Sequence, residues 1–318
     1  MSVKHSLIVP CYNEEGNVEN FLKETREAMK GYTDSYEIIF INDGSKDSTP
    51  KKLRDIFTEN KDVCIKVVNF SRNFGKEAAM YAGFTQASGE YITIIDADLQ
   101  QDPKYAVEMA KILDSNPDCD MVAAYQAHRK EGKALSKGKH AFYKTISSLS
   151  GIDFISDASD FRTMRKCVAD TIVALPEYHR FSKGIFSWVG YNTVSMPYEV
   201  RERESGETKW NLKKLISYAF EGIMAYTDKP LKLPLYLGAI LLVLSVLLGI
   251  IGVYVPYYGI PYYGIISAVL FVGSLVLICQ GINGVYLGKV HTQVKDRPIF
   301  IAKEILTYES YQESDNQI

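Results

Sequence analysis

The sequence predicts an α/β domain with a mainly parallel sheet, followed by a two-helix transmembrane hairpin. The first part of the chain alternates apolar segments of about five residues with amphipathic segments of about 10–14 residues, which is the rhythm of βαβ units. Residues 233–288 contain no Asp, Glu, Lys, Arg or His. The 36 basic and 38 acidic residues nearly balance, which argues against a nucleic-acid-binding protein.

The predicted strands and helices follow one another along the first part of the chain. Strands are expected at Ser6–Pro10, Glu37–Ile41, Ile65–Phe70, Tyr91–Ile95 and Met121–Ala124. Helices are expected at Val18–Lys30, Thr49–Glu59 and Lys76–Ala87, with Asn17 as the N-cap of the first. Sheets of this kind bind ligands at the carboxyl ends of their strands. The polar segments 11–15, 42–45 and 96–98, which follow three of these strands, are therefore the expected site.

Two apolar segments predict the transmembrane hairpin. Residues 235–255 and 264–288 are each long enough to cross a hydrocarbon core of about 30 Å. The linker 256–263 carries two prolines and four tyrosines and no charge, as expected for a turn at the interface. Basic residues lie on both outer flanks, so the positive-inside rule places both termini in the cytoplasm. The alternative for these segments is a buried hairpin in the core of a soluble protein.

The predicted domain organisation has four parts. The α/β domain covers 1–210, an amphipathic juxtamembrane helix 211–228, two transmembrane helices 233–288, and a cytoplasmic C-terminal tail 289–318. In the juxtamembrane segment, apolar residues fall on one helical face and Lys213 and Lys214 lie off it, which suits a helix at a membrane surface. A packed surface helix is the alternative there.

The cysteine pattern and the N-terminus both favour a location on the cytoplasmic side of a membrane. The five cysteines are scattered, with no CxxC pair, which indicates free thiols in a reducing compartment. The N-terminal residues lack the apolar stretch of a signal peptide. The expected location is the inner or plasma membrane, with a multi-pass topology.

Three polar motifs could carry chemistry. Asp96 and Asp98 follow a predicted strand directly and Gln100 comes next, so carboxylate and amide oxygens are available for Mg²⁺ or Mn²⁺. A chance pair of aspartates in a loop is the alternative. Asn42–Ser48 could bind a nucleoside through Asp43 or form a simple turn. Pro10–Glu15 could bind a ligand or merely lead into a helix.

Taken together, these motifs resemble the family 2 glycosyltransferases of GT-A fold, a Rossmann-like fold with a mainly parallel sheet. The segments that carry the resemblance are Pro10–Glu15, Asp43–Ser48, Ser71–Glu77, Asp96–Gln100, Asp160–Arg162 and Arg203–Lys209. Within that family the sequence is most similar to the polyprenyl-phosphate glycosyltransferases with two C-terminal spans, the bactoprenol glucosyltransferase group. Dolichol-phosphate mannose synthases are more distant relatives. The resemblance extends from about residue 3 to about residue 300.

The resemblance implies a role for each of these segments. Pro10, Tyr12, Glu14 and Asp43 would hold the uridine of a nucleotide sugar, and Lys76 and Ala97 belong to the same nucleotide-sugar set. Asp96 and Asp98 would bracket the diphosphate and the metal, with Gln100 as a further ligand. Asp160 would face the reacting centre beside Arg162, although Asp157 could compete for its role. Arg129, Lys137, Arg203 and Lys209 would bind phosphate of the donor or of the lipid acceptor.

The implied reaction is the inverting transfer of one hexose, glucose from UDP-glucose, to undecaprenyl phosphate at the cytoplasmic membrane face. UDP-N-acetylglucosamine, UDP-galactose and GDP-mannose remain open as donors. The Gln-x-x-Arg-Trp signature of processive synthases is absent from the sequence, which argues for a single addition per cycle. The acceptor phosphate is largely dianionic near neutral pH, since its second pKa is about 6. Asp160 is therefore expected to orient the acceptor or a neighbouring arginine as much as to accept a proton.

The expected partners follow from this reaction. They are the nucleotide sugar, the polyprenyl phosphate, the lipid bilayer, a downstream flippase and a glycosyltransferase that uses the lipid-linked sugar for cell-envelope glycan modification. Self-association is possible through the small residues of the first span, and no nucleic acid is expected. Two other classes of function compete with this interpretation. One is a non-catalytic nucleotide-sugar-binding scaffold, and the other is a component of a transporter or flippase.

Overall fold

The computed structural model describes residues 3–127, 158–201 and 262–307, together with the helical positions 234, 236–241 and 243. The chain divides into two compact units. In its described part, the first unit holds residues 3–127, 158–201 and 298–307. The second unit holds the described positions between 234 and 297.

An eight-stranded sheet forms the centre of the first unit. Its strands are β1 (His5–Cys11), β2 (Tyr36–Asn42), β3 (Cys64–Phe70), β4 (Tyr91–Ile94), β5 (Met121–Gln126), β6 (Ala158–Arg165), β7 (Thr193–Tyr198) and β8 (Ala302–Leu306). They are arranged in the order β7-β5-β6-β4-β1-β2-β3-β8. The pairs β1–β2, β1–β4, β2–β3 and β5–β7 are parallel, and the pairs that involve β6 or β8 are antiparallel. The sheet is therefore mostly parallel, as the sequence predicts.

Helices connect the strands because each parallel pair needs a crossover. The helices of this unit are α1 (Val18–Met29), α2 (Thr49–Glu59), α3 (Lys76–Gln86), α4 (Lys104–Ser115), α5 (Lys166–Ala174) and α6 (Ser182–Trp188). Each of α1 to α5 buries an apolar face. The central strands are buried over nearly their whole length, as expected for a sheet covered on both faces.

Elements with a strong local pattern lie close to their predicted positions. The helix α2 has the predicted bounds, and the first four predicted strands differ from the observed ones by at most one residue at each end. Asn17 does occupy the N-cap position of α1, but its side chain makes no capping hydrogen bond there. It donates instead to Glu14, over 2.6 Å, so the predicted N-cap position is confirmed while the side chain bonds elsewhere.

The C-terminal segment is more than a tail. The sequence predicts only a tail at 289–318, whereas the structure places Ala302–Leu306 in the sheet as β8, antiparallel to β3. The bond from the Ser71 backbone N–H to the Ile301 carbonyl and the stacking of Phe300 on Phe70 extend this contact. A five-residue strand with two of its side chains exposed is hard to predict from its own sequence pattern, because its stability comes from the partner strand.

The second unit contains the long apolar helix α7 (Tyr262–Val294). Its stretch Phe271–Val294 has a mean hydropathy of 1.5 and is long and apolar enough to cross a membrane. Among the described residues it is the one helix that meets this test. It overlaps the predicted second span at 264–288. Most of the predicted first span, the juxtamembrane helix at 211–228 and the basic segment 129–144 lie outside the described residues.

Candidate active site

The register of the sheet brings two distant motifs together. β4 and β6 are antiparallel with Ile94 opposite Arg162. Continuing that register by two residues places Asp160 opposite Asp96, where β4 ends and the polar loop 96–101 begins. A carboxylate from the second half of the domain therefore meets the first aspartate of the predicted metal motif at the carboxyl edge of the parallel strands.

Lys76 joins these two carboxylates. Its ammonium lies 2.7 Å from Asp96 Oδ1 and 3.3 Å from Asp160 Oδ2. Lys76 is the first residue of α3, so the connection between β3 and α3 sets its position. Burial alone would lower the pKa of Lys76, but the charges of Asp96 and Asp160 outweigh it and raise that pKa. The ammonium is therefore charged at every physiological pH.

Asp160 is held in its charged form by surrounding cations. Burial raises its pKa, but Lys76, Lys183 and Arg162 together hold the pKa below the usual range. Arg162 is almost fully buried, and burial lowers its pKa to about 10 against the opposing effect of Asp160. Its guanidinium lies 3.7 Å from the ring centroid of Phe186 and donates to the Ser159 carbonyl over 2.8 Å. Three cations therefore act on the charge of Asp160.

The loop after β4 is fixed by a glutamine that the sequence analysis did not select. The side-chain oxygen of Gln101 accepts the Asp96 backbone N–H over 3.0 Å, and its amide nitrogen lies 3.3 Å from Asp96 Oδ2. Gln101 is buried, and Leu99 takes a positive φ of 58° to make the turn. Gln100 donates its backbone N–H to Asp98 over 3.2 Å. Ala97 is buried against the core beneath the two aspartates.

Asp43 holds the loop that leads to Lys76. Its Oδ1 accepts the Phe74 backbone N–H over 2.6 Å and its Oδ2 accepts the Gly75 N–H over 2.9 Å. Burial raises the pKa of Asp43, and these two amide donors oppose that rise. A carboxylate offers about four acceptor positions, so two remain for the nucleoside that the resemblance implies. The structure thus adds a role within the protein to the predicted one.

The loops after β1 and β2 are locked to each other. Asn13 takes a positive φ of 57°, and its backbone N–H donates to Ser45 Oγ over 3.0 Å. Its side-chain oxygen accepts the Lys46 N–H over 2.9 Å. Glu14 accepts a hydrogen bond from the Asn17 side-chain amide. Pro10 lies near the end of β1, and the Tyr12 side chain just after that strand is 41% exposed. The predicted uridine-binding residues therefore lie on two mutually bonded loops at one edge of the sheet.

The predicted phosphate-binding residues Arg129, Lys137, Arg203 and Lys209 lie outside the described residues. The structure does describe Arg201, which the sequence analysis did not select. The Arg201 backbone N–H donates to the Gln100 carbonyl over 3.1 Å, and its guanidinium pairs with Asp102 and Glu24, each over 2.5 Å. The chain is thus anchored to the Asp96–Asp102 loop just before the segment 203–209. Charge alone could not single out this arginine among its neighbours.

The oxygen donors of this loop fit a divalent cation that also binds phosphate. Among the described residues there is no cluster of three or more His, Cys, Asp or Glu side chains that could enclose a metal. Mg²⁺ is commonly held by one or two carboxylates together with substrate phosphates rather than by a full protein cage. Asp96 and Asp98, with Gln100 beside them, supply that smaller set.

The fold is that of a GT-A-like α/β domain with a mostly parallel sheet. The sequence profile of "Glycosyl transferase family 2" matches residues 6–172. The chain belongs to this family. The matched region contains the loops after β1, β2 and β4, together with Lys76, Asp160 and Arg162.

Sequence similarity to individual proteins covers nearly the whole chain. An uncharacterized glycosyltransferase of Synechocystis sp. is 38% identical, covering 96% of both chains. A prophage-derived bactoprenol glucosyl transferase of Shigella flexneri is 36% identical, covering 95% of this chain and 98% of its own. The crystal structure of glucosyl-3-phosphoglycerate synthase from Mycobacterium tuberculosis, solved with Mn²⁺, UDP and phosphoglyceric acid, is similar in fold. Its TM-score is 0.51 at 17% identity, over 70% of this chain and 76% of that one.

Proposed function

We propose that this protein transfers a single glucose from UDP-glucose to a polyprenyl phosphate, with inversion, at the cytoplasmic face of the membrane. The observation that carries the proposal is the Lys76 bridge between Asp96 and Asp160 at the carboxyl edge of the sheet. The near-full-length similarity to the Shigella flexneri bactoprenol glucosyl transferase supports glucose and the polyprenyl acceptor. The other nucleotide sugars named above remain alternative donors for the same reaction.

The electrostatics of the site suit a phosphate nucleophile. The acceptor phosphate is largely dianionic near neutral pH, so it needs little help in losing a proton. Asp160 is a weak base because its pKa is held low, and it therefore orients Arg162 and Lys76. The cations around it lower the repulsion between the acceptor phosphate and the donor diphosphate. Attack on the side of the anomeric carbon opposite the leaving diphosphate gives inversion.

The metal site we propose uses Asp98 and Asp96, with Gln100 as a further ligand. Bound Mg²⁺ or Mn²⁺ would neutralise the charge that grows on the diphosphate leaving group. Asp96 also accepts from Lys76 and Gln101, so these two residues set the direction of its carboxylate. Tyr12, Glu14, Pro10 and Asp43 form the proposed uridine end of the site, and Ala97 lies beneath its phosphate end. Arg129, Lys137, Arg203 and Lys209 remain the proposed contacts to the acceptor phosphate.

The topology of the sheet supports a hairpin of two membrane crossings. β7 and β8 belong to the same sheet, and the apolar helix α7 lies between them in the sequence. A single crossing between β7 and β8 would leave them on opposite sides of the bilayer. An even number of crossings is required, which agrees with spans near 235–255 and 264–288. A polyprenyl tail leaves the bilayer at a cost of about 0.8 kcal/mol per CH₂, so an anchored enzyme meets its acceptor at the interface.

The partners that we propose are those of an enzyme that makes a lipid-linked sugar. The product needs a flippase and a glycosyltransferase that uses the lipid-linked sugar on the far side of the membrane. Self-association through the first span is part of the proposal as well. The bilayer itself is a partner, through the juxtamembrane segment 211–228 and the hairpin.

The test is transfer of labelled sugar to undecaprenyl phosphate by the full-length protein in detergent. UDP-glucose, UDP-N-acetylglucosamine, UDP-galactose and GDP-mannose are supplied in parallel, each with Mg²⁺, with Mn²⁺ or with chelator. We expect metal-dependent labelling from UDP-glucose. Labelling from another donor would correct the sugar, and metal-independent labelling would overturn the metal site. UDP binding without transfer from any donor would favour the scaffold interpretation.

The Asp98→Asn variant should lose transfer by about 100-fold or more, because the leaving diphosphate loses its metal ligand. Asp118→Asn is the matched control, since Asp118 is an exposed aspartate in the turn between α4 and β5. It should keep full activity. Equal activity of the two variants would contradict the assignment of Asp98.

A further inference from the structure

The carboxylate of Glu77 lies beside the centre and bonds the start of a neighbouring helix. Glu77 follows Lys76 in the first turn of α3 and accepts two hydrogen bonds from Ser182, the first residue of α6. One comes from the Ser182 backbone N–H over 3.0 Å, and the other from its hydroxyl. Ser182 is 5% exposed, so these bonds are shielded from water. The start of α6 is therefore tied to the start of α3.

The tied helix carries two residues that shape the surroundings of Asp160. Lys183 comes directly after Ser182 and helps to hold the pKa of Asp160 down. Phe186 is buried one turn further on, and its ring supports the Arg162 guanidinium at 3.7 Å. Asp160 therefore meets cations from two helices, Lys76 from α3 and Lys183 from α6, as well as Arg162 from its own strand.

We propose that Glu77 is a positioning residue for glycosyl transfer. By bonding Ser182 it fixes α6 against α3, so that Lys183 and the Phe186-supported Arg162 hold their places around Asp160. This proposal rests on the proposed function, since it assigns Asp160 and its cations to the transfer step. Nothing in the arrangement requires Glu77 to touch a substrate.

Glu77 is coupled electrostatically to the centre as well as bonded to α6. Burying a carboxylate is costly unless it is well hydrogen-bonded, and burial raises the pKa of Glu77 to about 7 against the opposing Ser182 bonds. Both Ser182 donors meet the same carboxylate oxygen, and the uncharged oxygen of a glutamine would accept these bonds more weakly. Lys76 and Asp160 lie close enough to Glu77 for their charges to affect this pKa as well.

The test compares four single variants of the full-length protein. Glu77→Gln keeps the size of the side chain, Ser182→Ala removes the hydroxyl donor, and Ser182→Thr retains it. Ser187→Ala is the matched control, because Ser187 lies on the same helix and its hydroxyl donates to the Lys183 carbonyl within that helix. For each variant we would measure kcat and KM for sugar transfer, the Kd for UDP, and hydrogen exchange of the α6 amides.

We expect Glu77→Gln and Ser182→Ala to lower kcat by about tenfold to 100-fold, because a displacement of about 1 Å near the reacting atoms has an effect of that size. The Kd for UDP should change by less than about twofold, since the uridine end lies on other loops, and exchange in α6 should rise. Ser182→Thr should regain most of the activity, and Ser187→Ala should equal the wild type. The double variant Glu77→Gln/Ser182→Ala should be no worse than the poorer single variant.

The possible failures can be told apart. Absence of transfer by the wild-type protein would overturn the proposed function, and the glycosyl-transfer role of Glu77 with it. Normal kcat in Glu77→Gln and Ser182→Ala, with an active wild type, would overturn the positioning role alone. Equal loss of UDP binding and transfer in Ser182→Ala, without rescue by Ser182→Thr, would also overturn it. Unchanged exchange in α6 would show that Glu77 does not hold the helix.

Discussion

Gly44 occupies a position that requires glycine for two separate reasons. It takes a φ of +65°, and a Cβ there would lie 2.4 Å from the Arg72 carbonyl carbon. The close approach brings the loop after β2 against the loop that carries Phe74 and Gly75, the donors to Asp43. Backbone conformation and lack of space therefore both demand glycine at this position.

Gly44→Ala should destabilise the protein and weaken UDP binding. Gly31 offers the matched control, since its φ is +80° but nothing lies within 4 Å of a Cβ there. Gly31→Ala should cost about 1 kcal/mol from backbone strain alone. Gly44→Ala should cost about 1–3 kcal/mol more, because backbone atoms must shift. Denaturant unfolding and UDP titration of both variants would check this, and equal costs would mean that the close approach is not a constraint.

Single residues also mark where sequence reasoning reached its limit. The pattern Asp96–Gln100 drew attention to the loop after β4, but the glutamine that bonds Asp96 is Gln101. The pattern cannot distinguish the two adjacent glutamines, because a positive φ at Leu99 decides which side chain turns inward. The roles predicted for Pro10, Tyr12, Glu14 and the other site residues stay predictions until a ligand is bound.

Among the helices and strands, those with a local sequence pattern can be predicted from the sequence, whereas strands held by distant partners cannot. The helices α1 to α3 and the strands β1 to β5 have apolar periodicity or buried runs of their own, which is why their predicted positions were close. Helix α4 lies before β5 and was not predicted. β6 and β8 were not predicted, because each is held by an antiparallel partner far away in the sequence. The meeting of Asp96 and Asp160 depends on β6, so their pairing required the structure or a family resemblance.

β8 reaches the nucleotide loops through a chain of hydrogen bonds. Glu304 on β8 accepts from Arg54 and from the amide of Asn69, and Asn69 in turn accepts from Asn42 over 2.8 Å. The Asn42 side-chain oxygen accepts the Ser45 backbone N–H over 3.1 Å. The strand that follows the apolar helix is thus connected to the loop that we assign to the uridine.

Glu304→Ala should weaken UDP binding about threefold to tenfold, which corresponds to about 0.7–1.4 kcal/mol. The reason is that the buried amide of Asn69 loses its acceptor and no longer fixes Asn42. Lys303→Ala is the matched control, because Lys303 is an exposed residue on the same strand. Calorimetric titration with UDP compares the two. Equal affinities would separate β8 from the nucleotide loops.

For the whole molecule, the predicted topology can be tested by cysteine labelling. A variant with Gly259→Cys as its sole cysteine should react with a membrane-impermeant maleimide in intact cells, because the proposed topology puts the linker 256–263 outside. A second variant that keeps only the exposed Cys167 should react only after permeabilisation. Folding and transfer activity of each cysteine-depleted protein serve as the control. Labelling of Cys167 from outside would reverse the orientation.

The place of β8 at the sheet edge also constrains the order in which the protein can mature. β8 is synthesised after the whole apolar region, at about 5–20 residues per second. Until then β3 is an open sheet edge, and open edges are prone to pair with other chains. The whole apolar region is therefore synthesised before the sheet can close. A chain that ends before Ala302, such as an isolated front domain made for crystallisation, should be prone to aggregation even though its catalytic motifs are all present.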